Sequence, residues 1–417
     1  MIKNIFSKIK IFLLWTEKWT QTDMIYFSRG GFWLGLNQAI SMFAAFLLSI
    51  AFANLLTTET YGSYKYILSI VSLLSIPTLA GMGTSITQAV ARGYEGTLIS
   101  ATKERMRWGL ISSILSIATA GYYYYADNYS LTYTFLIAAI FLPLMDPLNS
   151  YSSFLSGKKL FKDSARYNVI SQITILAATG LTLYATQNLF IIILVYFISR
   201  TVINAALTKY TLITFKPSYK VDLEAISYGK HLTAMNIIGW IAAQLDKILI
   251  WHYLGAIELA VYSFAMAPID QINSGVLKNI ITLAFPKFSS SAIDSLKKTL
   301  PKKIIKFTGA TIAAAIIFVL IAPLLYHLFF PQYLSSVQYA RFYAITLAIL
   351  PISLFNTAIT AQSQKKKLYF LSLSSSSVKI ILLLVLLPIF GITGAIAAII
   401  GSTLFSNVIT YYLFKKM

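Results

Sequence analysis

Long apolar runs recur along the whole chain, each about 20 residues in length. A helix of that length crosses the hydrocarbon core of a membrane and satisfies its backbone hydrogen bonds internally. The pattern therefore predicts an all-α polytopic membrane protein with about twelve transmembrane helices. The predicted spans are 31–53, 63–88, 107–126, 131–155, 167–185, 189–211, 230–252, 257–284, 304–325, 340–361, 368–388 and 392–413.

Basic residues are concentrated in every second connection between these runs. Lysines and arginines cluster at 92–107, 158–166, 209–220, 287–306 and 365–367, whereas the intervening connections carry almost none. A miscounted span would break this alternation, so the pattern supports an even number of spans. Because positively charged loops stay on the cytoplasmic side, we expect both termini in the cytoplasm. The connections on the opposite side are short, which argues against a large domain there.

The segment 1–28 precedes the first span and has a different pattern. Its apolar residues recur at helical spacing, and Lys3, Lys8 and Lys10 lie on the other side. The apolar part is too short to span a membrane, and no small-residue cleavage site follows it. We therefore expect an N-terminal interfacial amphipathic segment on the cytoplasmic surface.

The composition agrees with a membrane protein and excludes several other classes. Of the 417 residues, 57% are apolar and 12% are charged, too little polar surface for a soluble globule of this size. The formal charge of +20 is spread between apolar runs, so we expect no nucleic acid partner. The sequence has no cysteine, no phosphate-binding loop motif and no histidines at metal-ligand spacing. We therefore expect no cofactor and no metal.

The basic connection 213–229 divides the predicted spans into six and six. It separates an N-terminal six-helix lobe, 29–212, from a C-terminal six-helix lobe, 230–417. Six spans return the chain to its starting side, so the second lobe repeats the first in a parallel sense. Two such bundles that meet face to face enclose a central cavity.

Three segments resemble a known transporter family. They are Leu56-x-x-x-x-Tyr-Gly-x-Tyr64, Asp246-Lys-Ile-Leu-Ile with the following Val261-Tyr-Ser-Phe-Ala, and Pro388-Ile-Phe-Gly-Ile-Thr-Gly-Ala-Ile-Ala. With them, nearly the whole chain resembles the polysaccharide-export branch of the multidrug/oligosaccharidyl-lipid/polysaccharide (MOP) superfamily, especially Wzx-type O-antigen flippases. The resemblance implies a MATE-like fold of two lobes that alternately open to the cytoplasm and the periplasm.

The resemblance also implies a location, a substrate and partners. The location is the bacterial inner membrane, and the substrate is an undecaprenyl-diphosphate-linked oligosaccharide, such as the repeat unit of O-antigen in lipopolysaccharide. The implied partners are this lipid-linked oligosaccharide, the membrane lipids, a polysaccharide polymerase and its chain-length machinery.

Two predicted spans carry polar stripes that suit a cavity for such a headgroup. Residues spaced by three or four share one helical face, and each stripe places a tryptophan among polar side chains. Cations could bind the diphosphate, and amides and aromatic rings could bind sugars. Helix association and interfacial anchoring are the alternatives. The stripes are Arg29, Trp33 and Asn37, with Ser41, on the first span, and Asn236, Trp240, Gln244 and Lys247 on the seventh.

Further intramembrane cations extend this candidate site. Lys278 lies on the eighth span, and Lys379 lies in the middle of the eleventh, where contact with an interface explains it least. Lys65 and Arg200 lie on the second and sixth spans, with snorkelling to the interface as the alternative. The serines between 372 and 377 are interpreted as contacts for close helix packing.

Acidic residues are scarcer, and three of them are candidates for coupling to H+ or Na+. Asp146 precedes Pro147, whose missing N–H opens the helix locally. Asp246 adjoins Lys247, although an ion pair with another helix is the alternative. Asp270 lies on the eighth span.

We therefore expect a flippase that moves the lipid-linked oligosaccharide by alternating access and is not an enzyme. One alternative is a MATE-type multidrug or cation antiporter, for which an acidic cavity would be expected. Here the intramembrane cations outnumber the acids. The other alternative is a membrane-embedded polysaccharide polymerase or glycosyltransferase. Short outer loops and the lack of a catalytic cluster in the sequence argue against it.

Overall fold

The computed structural model describes residues 24–290, 293–362 and 365–417. Within these ranges it gives no side-chain environment for 24–31, 34, 274, 276–287, 289–290 and 365–366. Residues 1–23, most of the predicted interfacial segment 1–28, therefore lie outside the described part. The described residues form helices and turns without a β-strand, which confirms the predicted all-α class.

Three helices of the first lobe begin at a residue whose side chain caps the helix. Thr57 accepts a hydrogen bond from the Thr60 N–H, and Asn128 and Asn188 cap two later helices in the same way. Short 3₁₀ turns at Ile76–Thr78 and Pro147–Ser150 interrupt two of the predicted spans. The helices are α1 Met24–Leu55, α2 Thr58–Leu74, α3 Met82–Ala91, α4 Thr97–Tyr125, α5 Tyr129–Met145, α6 Tyr151–Gly157, α7 Phe161–Ala185 and α8 Leu189–Phe215.

The helix that contains the seventh predicted span begins at residue 223, before the predicted start of that span at 230. Asp222 accepts a hydrogen bond from the Ala225 N–H and so starts the helix, which shortens the predicted connection 213–229 to a non-helical stretch at 216–222. The helices of the second lobe are α9 Leu223–Leu254, α10 Ala256–Ser290, α11 Ile293–Phe329, α12 Ser336–Tyr343, α13 Ile345–Ile349, α14 Leu354–Ala361 and α15 Lys365–Lys415.

Helix α15 consists of two antiparallel segments that reverse at Gly391. Its φ of 58° and ψ of −137° are not helical, and φ values of this sign favour glycine. The two arms then meet, because Lys367 Nζ donates hydrogen bonds of 3.4 Å to the carbonyls of Leu413 and Lys416. A Cβ at Gly394 would lie 2.0 Å from the Leu386 carbonyl oxygen. The reversal separates the predicted spans 368–388 and 392–413.

Most of the predicted spans coincide with a single helix or one arm of α15, whereas 63–88, 131–155 and 340–361 each contain two or more helices and a 3₁₀ turn. Among the described residues, seven helices are long and apolar enough to cross a membrane, and the bent pair Thr58–Leu74 and Ile76–Ala91 is a further candidate. Helices α4, α9 and α10 do not meet the same measure of apolarity. Large apolar side chains such as Leu181, Leu320 and Ile389 face outward, as expected for contact with lipid. The count of about twelve and the cytoplasmic termini stay predictions.

The two lobes pack tightly at the predicted periplasmic end. Aromatic side chains from both lobes interlock there, and we call this group the aromatic plug: Phe52, Tyr61, Phe264, Phe330 and Tyr333. The Tyr61 and Phe264 ring centroids are 4.6 Å apart, and those of Phe264 and Tyr333 are 3.9 Å apart. These rings are nearly or fully buried, so the plug closes this end of the molecule.

Glycine allows the backbones of the two lobes to meet beside the plug. A Cβ at Gly62 on α2 would lie 1.8 Å from the carbonyl oxygen of Ala256, the first residue of α10. No side chain fits in that distance. Next to this contact, the Tyr66 ring stacks on Trp251 of α9 with a centroid separation of 4.5 Å.

At the predicted cytoplasmic end, the start of α9 is attached to the first lobe. The Gly81 N–H donates a 3.1 Å hydrogen bond to Thr233 Oγ1, and Arg92 forms an ion pair of 2.6 Å with Asp222. Lys230 forms a second ion pair with Glu104 at 2.5 Å. Because α9 leans on the first lobe here, a groove separates it from α14 and α15 of its own lobe.

Candidate substrate-binding cavities

A cavity of about 340 Å³ lies where α9 meets the first lobe, and we call it the cationic cavity. Helix α2 lines it with one face that carries Lys65, Ser69, Ser72 and Ser75, which are spaced by three or four residues. Helix α8 adds Tyr196 and Arg200, one turn apart. The remaining lining residues are Leu68, Val71, Met145, Asp146, Gln244 and Lys247.

Neighbouring polar groups hold Arg200 in place within this cavity. Its Nη1 donates a 3.1 Å hydrogen bond to the Tyr196 hydroxyl, and its Nη2 lies 4.0 Å from Asp146 Oδ1. Asp146 lies at the cavity because α5 ends at Met145, and Pro147 then starts a 3₁₀ turn. The guanidinium therefore keeps most of its donors for another partner.

The two lysines of the cavity come from opposite lobes. Lys65 Nζ on α2 lies 5.7 Å from the centroid of the Tyr61 ring. Lys247 Nζ on α9 donates a 3.3 Å hydrogen bond to Gln244 Oε1, and Gln244 Nε2 donates one of the same length to Ser72 Oγ. Gln244 thus connects the two lobes across the cavity wall.

The cationic cavity has an excess of positive charge. Among the lining residues, Lys65, Arg200 and Lys247 face one carboxylate, that of Asp146, so the lining itself carries two positive charges in excess. Asp246 and Asp270 lie outside the lining, and their charges also act on Lys247. Charges away from bulk water are costly when unpaired, and their attraction for a counter-ion is stronger there than in solution. The arrangement favours an anionic ligand.

Three of the predicted site residues, Gln244, Lys247 and Asp146, line the cationic cavity. Asp246 is buried beside it and accepts a hydrogen bond from the Tyr262 hydroxyl, while its Oδ1 has no hydrogen-bond donor among the described residues. Asp270 accepts a 2.7 Å hydrogen bond from the Tyr343 hydroxyl. These two acids are therefore held in the second lobe by tyrosines.

The polar stripe of the first span has contacts within the first lobe. Asn168 Nδ2 on α7 donates hydrogen bonds to Asn37 Oδ1 and, at 2.8 Å, to Ser41 Oγ. Trp33 is half-buried and packs edge-on against Phe32, with ring centroids 5.6 Å apart. In this structure Asn37 and Ser41 join two helices, in agreement with the alternative of helix association. The side chain of Arg29 lies outside the described residues.

The second lobe contains a separate cavity of about 360 Å³, which we call the polar cavity. Lys379 lines it together with serine, threonine and asparagine side chains from α14 and both arms of α15. It adjoins the groove between α9 and α15, whose volume is about 1010 Å³ and which Asn236 lines. Trp240 lies half-buried on α9, and the Lys278 side chain lies outside the described residues.

Sequence reasoning underestimated Lys65 and Arg200, for which it kept snorkelling to the interface as the alternative. The signal was present as spacing, since Lys65, Ser69, Ser72 and Ser75 share one helical face, and Tyr196 precedes Arg200 by one turn. Across the described part of the chain, no group of three or more histidine and acidic side chains is placed to bind a metal.

The sequence of residues 27–292, more than half of the chain, matches the family described as "Polysaccharide biosynthesis protein". The chain belongs to this family. No curated protein matches the sequence. Membership of the polysaccharide biosynthesis protein family confirms the predicted relationship to the polysaccharide-export branch.

Solved structures of distant sequence show the fold of this family member. MATE in complex with MaD5 has 10% identity and a TM-score of 0.65, with 93% of this chain and 94% of that chain covered. The outward-facing conformation of a multidrug resistance MATE family transporter has 11% identity and a TM-score of 0.64, with coverage of 93% and 94%. A MOP superfamily transporter from Pyrococcus furiosus Vc1 (DSM3638) has 11% identity and a TM-score of 0.65, with coverage of 94% and 95%.

These findings agree on the class of the molecule. The two-lobe MATE-like fold of the MOP superfamily is confirmed, and the family places the chain in polysaccharide biosynthesis. The chain is thus a multi-pass helical protein of the polysaccharide biosynthesis family with the fold of MATE transporters.

Proposed function

We propose that the protein moves an undecaprenyl-diphosphate-linked oligosaccharide, the repeat unit of O-antigen or a similar glycan, from the cytoplasmic to the periplasmic leaflet of a bacterial inner membrane. The cationic cavity is the observation that carries this proposal. It combines Lys65, Arg200 and Lys247 at the contact between the lobes. The translocated product would then be available to a polysaccharide polymerase and its chain-length machinery.

The chemistry of the diphosphate matches the cavity. A diphosphate diester carries about two negative charges, equal to the excess positive charge of the lining residues. The planar Arg200 guanidinium suits paired phosphate oxygens, and the two lysines add point charges from either lobe. Binding in the cavity would therefore replace much of the hydration that the headgroup loses inside the membrane.

The shape of the molecule supports loading from the cytoplasmic side. The aromatic plug closes the predicted periplasmic end, and the groove beside α9 lies at the predicted cytoplasmic end. Translocation requires the lobes to separate at the plug and to close at the other end. A substrate shifts such an equilibrium only through different contacts in the two states, and cations contributed by both lobes supply these.

Coupling to H+ or Na+ would act most directly through Asp146. Its carboxylate is 4.0 Å from the Arg200 guanidinium, so a diphosphate that binds Arg200 competes with it. Once Asp146 has lost this partner, uptake of a proton or a sodium ion neutralises the carboxylate. Asp246 and Asp270 already accept hydrogen bonds from tyrosines and serve as secondary candidates.

The lining charges argue against a cationic drug as the cargo. Two of the similar structures are MATE proteins, one of them described as a multidrug resistance transporter, and the Pyrococcus furiosus protein is described as having a binding pocket of reverse polarity that suggests a different function. In the present chain, three cations against one carboxylate would repel a cationic drug.

Reconstitution of the wild-type protein in liposomes tests the proposed cargo. The vesicles contain an undecaprenyl-diphosphate oligosaccharide, and a membrane-impermeant glycosidase reports the headgroups that reach its side. In protein-free vesicles the glycosidase cleaves only the outward-facing half of the headgroups. We expect it to cleave more than half of them when the protein is present. Absence of translocation for every lipid-linked glycan, together with ion-driven transport of a cationic dye, would replace the proposal with a drug exporter.

A further inference from the structure

The polar cavity in the second lobe differs from the cationic cavity in its lining. Helix α14 contributes Ser353 and Asn356, the first arm of α15 contributes Ser375, Ser376 and Lys379, and the second arm contributes Ser402, Thr403, Ser406, Asn407 and Thr410. No carboxylate is among these lining residues. The cavity is therefore rich in hydroxyl and amide groups and carries a single positive charge.

Lys379 has no bonded partner in this cavity. Among the described residues, it takes part in no hydrogen bond and no ion pair. The buried Asp246 carboxylate acts electrostatically on both Lys247 and Lys379, and its Oδ1 has no donor among the described residues. A cation without a direct ion pair in the middle of a transmembrane segment is costly, so the position of Lys379 favours a further, directly bonded anionic partner.

The hydroxyl groups around Lys379 have free capacity for hydrogen bonds. Ser402 and Thr403 donate to the Ile399 carbonyl, and Thr410 donates to the Ser406 carbonyl, which leaves their oxygen lone pairs as acceptors. The buried Oγ of Ser375 has no partner among the described residues. Sequence reasoning assigned these serines to helix packing, whereas Ser375 and Ser376 line the cavity. Such a lining matches the hydroxyl groups of sugars.

The polar cavity lies next to the groove at the predicted cytoplasmic end. Asn356, Ser375, Ser376 and Ser406 line both spaces, so the two adjoin each other. Aromatic rings and a histidine line the groove, and the Tyr369 hydroxyl lies 2.8 Å from His231 Nε2. Faces of aromatic rings pack against the apolar faces of sugars, so this groove offers an entry route for a glycan.

Helix α9 contributes to both cavities. Gln244 and Lys247 face the cationic cavity, whereas Gly239, Ala242 and Ala243 line the polar cavity. Small residues on that face leave room beside the helix. The two cavities therefore lie beside the same helix, although none of the described residues lines both.

We propose that the polar cavity is the binding site for the glycan of the carried lipid, and that Lys379 binds the carboxylate of an acidic sugar in that glycan. This inference rests on the proposed function and specifies its substrate class. The hydroxyl and amide groups bind neutral positions of the glycan, and the lysine selects for a carboxylate.

Two lipids that differ by one carboxylate test this inference. They are undecaprenyl-diphosphate disaccharides that end in glucose or in glucuronic acid, and each is measured with wild type, Lys379→Gln, Lys379→Arg and the exposed control Lys209→Gln. We expect wild type to translocate the acidic lipid preferentially. Loss of a charge-assisted hydrogen bond should lower the acidic-to-neutral ratio about ten-fold or more in Lys379→Gln. Lys379→Arg and Lys209→Gln should keep the preference.

The outcomes separate the two proposals. If wild type translocates neither lipid, the proposed function is wrong. If wild type translocates both lipids and Lys379→Gln leaves their ratio unchanged, only the present inference is overturned. Equal loss of both lipids in Lys379→Gln, without a change in ratio and at unchanged thermal stability, would likewise overturn the inference, because Lys379 would then not select for a carboxylate.

Discussion

Arg200 shows how a single residue gains a function from its neighbours. It lies one turn beyond Tyr196 on α8, and it approaches Asp146 at the point where Pro147 ends a helix. These contacts orient the guanidinium without satisfying its donors. A lipid-linked diphosphate could therefore bind Arg200 without removing the side chain from a complete ion pair.

Substitution of Lys247 tests the contribution of the second lobe to the same cavity. We predict that Lys247→Gln weakens binding of undecaprenyl diphosphate to the purified protein about ten-fold or more, because a charge-assisted hydrogen bond is lost. Binding of undecaprenyl monophosphate should weaken less, since that ligand carries less charge. Titration calorimetry in detergent measures both affinities.

The matched control for this titration is Lys209→Gln, which removes an exposed lysine from α8. Its affinities should equal those of wild type. Equal affinity of Lys247→Gln and wild type for the diphosphate would remove Lys247 from the binding site.

At the level of helices, each apolar run coincides with helical structure, but the charged residues next to the runs obscured where the helices end. The segment 92–107 was read as a cytoplasmic loop, yet α4 begins at Thr97 and includes Arg105. This arginine is buried and donates hydrogen bonds of 2.9 Å to the Thr78 carbonyl and to Ser150 Oγ. The sequence around Arg105 could not reveal these hydrogen-bond partners, because two other segments of the chain supply them.

The contact between α2 and α10 leads to a prediction about closure of the predicted periplasmic end. Gly62→Ala places a Cβ 1.8 Å from the Ala256 carbonyl oxygen, so the lobes must separate there. Overpacking of this kind costs ~1–3 kcal/mol and should lower the temperature of thermal unfolding. It should also increase labelling of a cysteine introduced at Tyr333 by an impermeant maleimide added from outside, and the chain has no other cysteine.

The control for the added methyl group is Gly180→Ala on α7, where a Cβ would meet nothing within 4 Å. This variant should be as stable as wild type or slightly more stable, because alanine favours a helix over glycine. Wild-type stability and unchanged labelling in Gly62→Ala would show that the two backbones are not in contact.

The contacts of Glu95 with the connection between the lobes lead to a prediction about how stability depends on pH. Glu95, in the loop before α4, accepts a 2.5 Å hydrogen bond from Lys158 and a 3.0 Å hydrogen bond from the Ser218 N–H, and these contacts lower its pKa from 4.5. A lowered pKa means that the contacts stabilise the fold above about pH 4.5 and are lost as the pH falls through the lowered pKa. Because the pair is partly exposed, its contribution is ~1 kcal/mol or less.

Glu95→Gln should therefore unfold at a slightly lower temperature than wild type at about pH 7 and show a smaller difference at about pH 4. Glu224→Gln, at an exposed glutamate on α9, should match wild type at both pH values. A difference between Glu95→Gln and wild type that grows as the pH falls would contradict this assignment.

For the whole molecule, the sequence was sufficient for the two-lobe arrangement but not for the positions of the cavities. The six-and-six division and the resemblance together predicted the fold that the solved structures share. The orientation of each polar stripe depends on how its helix is rotated in the bundle. The stripe with Asn37 therefore binds α7, whereas Gln244 and Lys247 of the corresponding stripe face a cavity.

The rate of headgroup translocation in liposomes tests the central claim most directly, namely that the diphosphate passes through the cationic cavity. The comparison uses wild type, Arg200→Gln, Lys65→Gln and Lys209→Gln, at equal amounts of reconstituted protein and with thermal unfolding as the check on folding. We predict that Arg200→Gln and Lys65→Gln translocate an undecaprenyl-diphosphate oligosaccharide about ten-fold more slowly or worse, while Lys209→Gln equals wild type. Wild-type rates in both cavity variants would contradict the account.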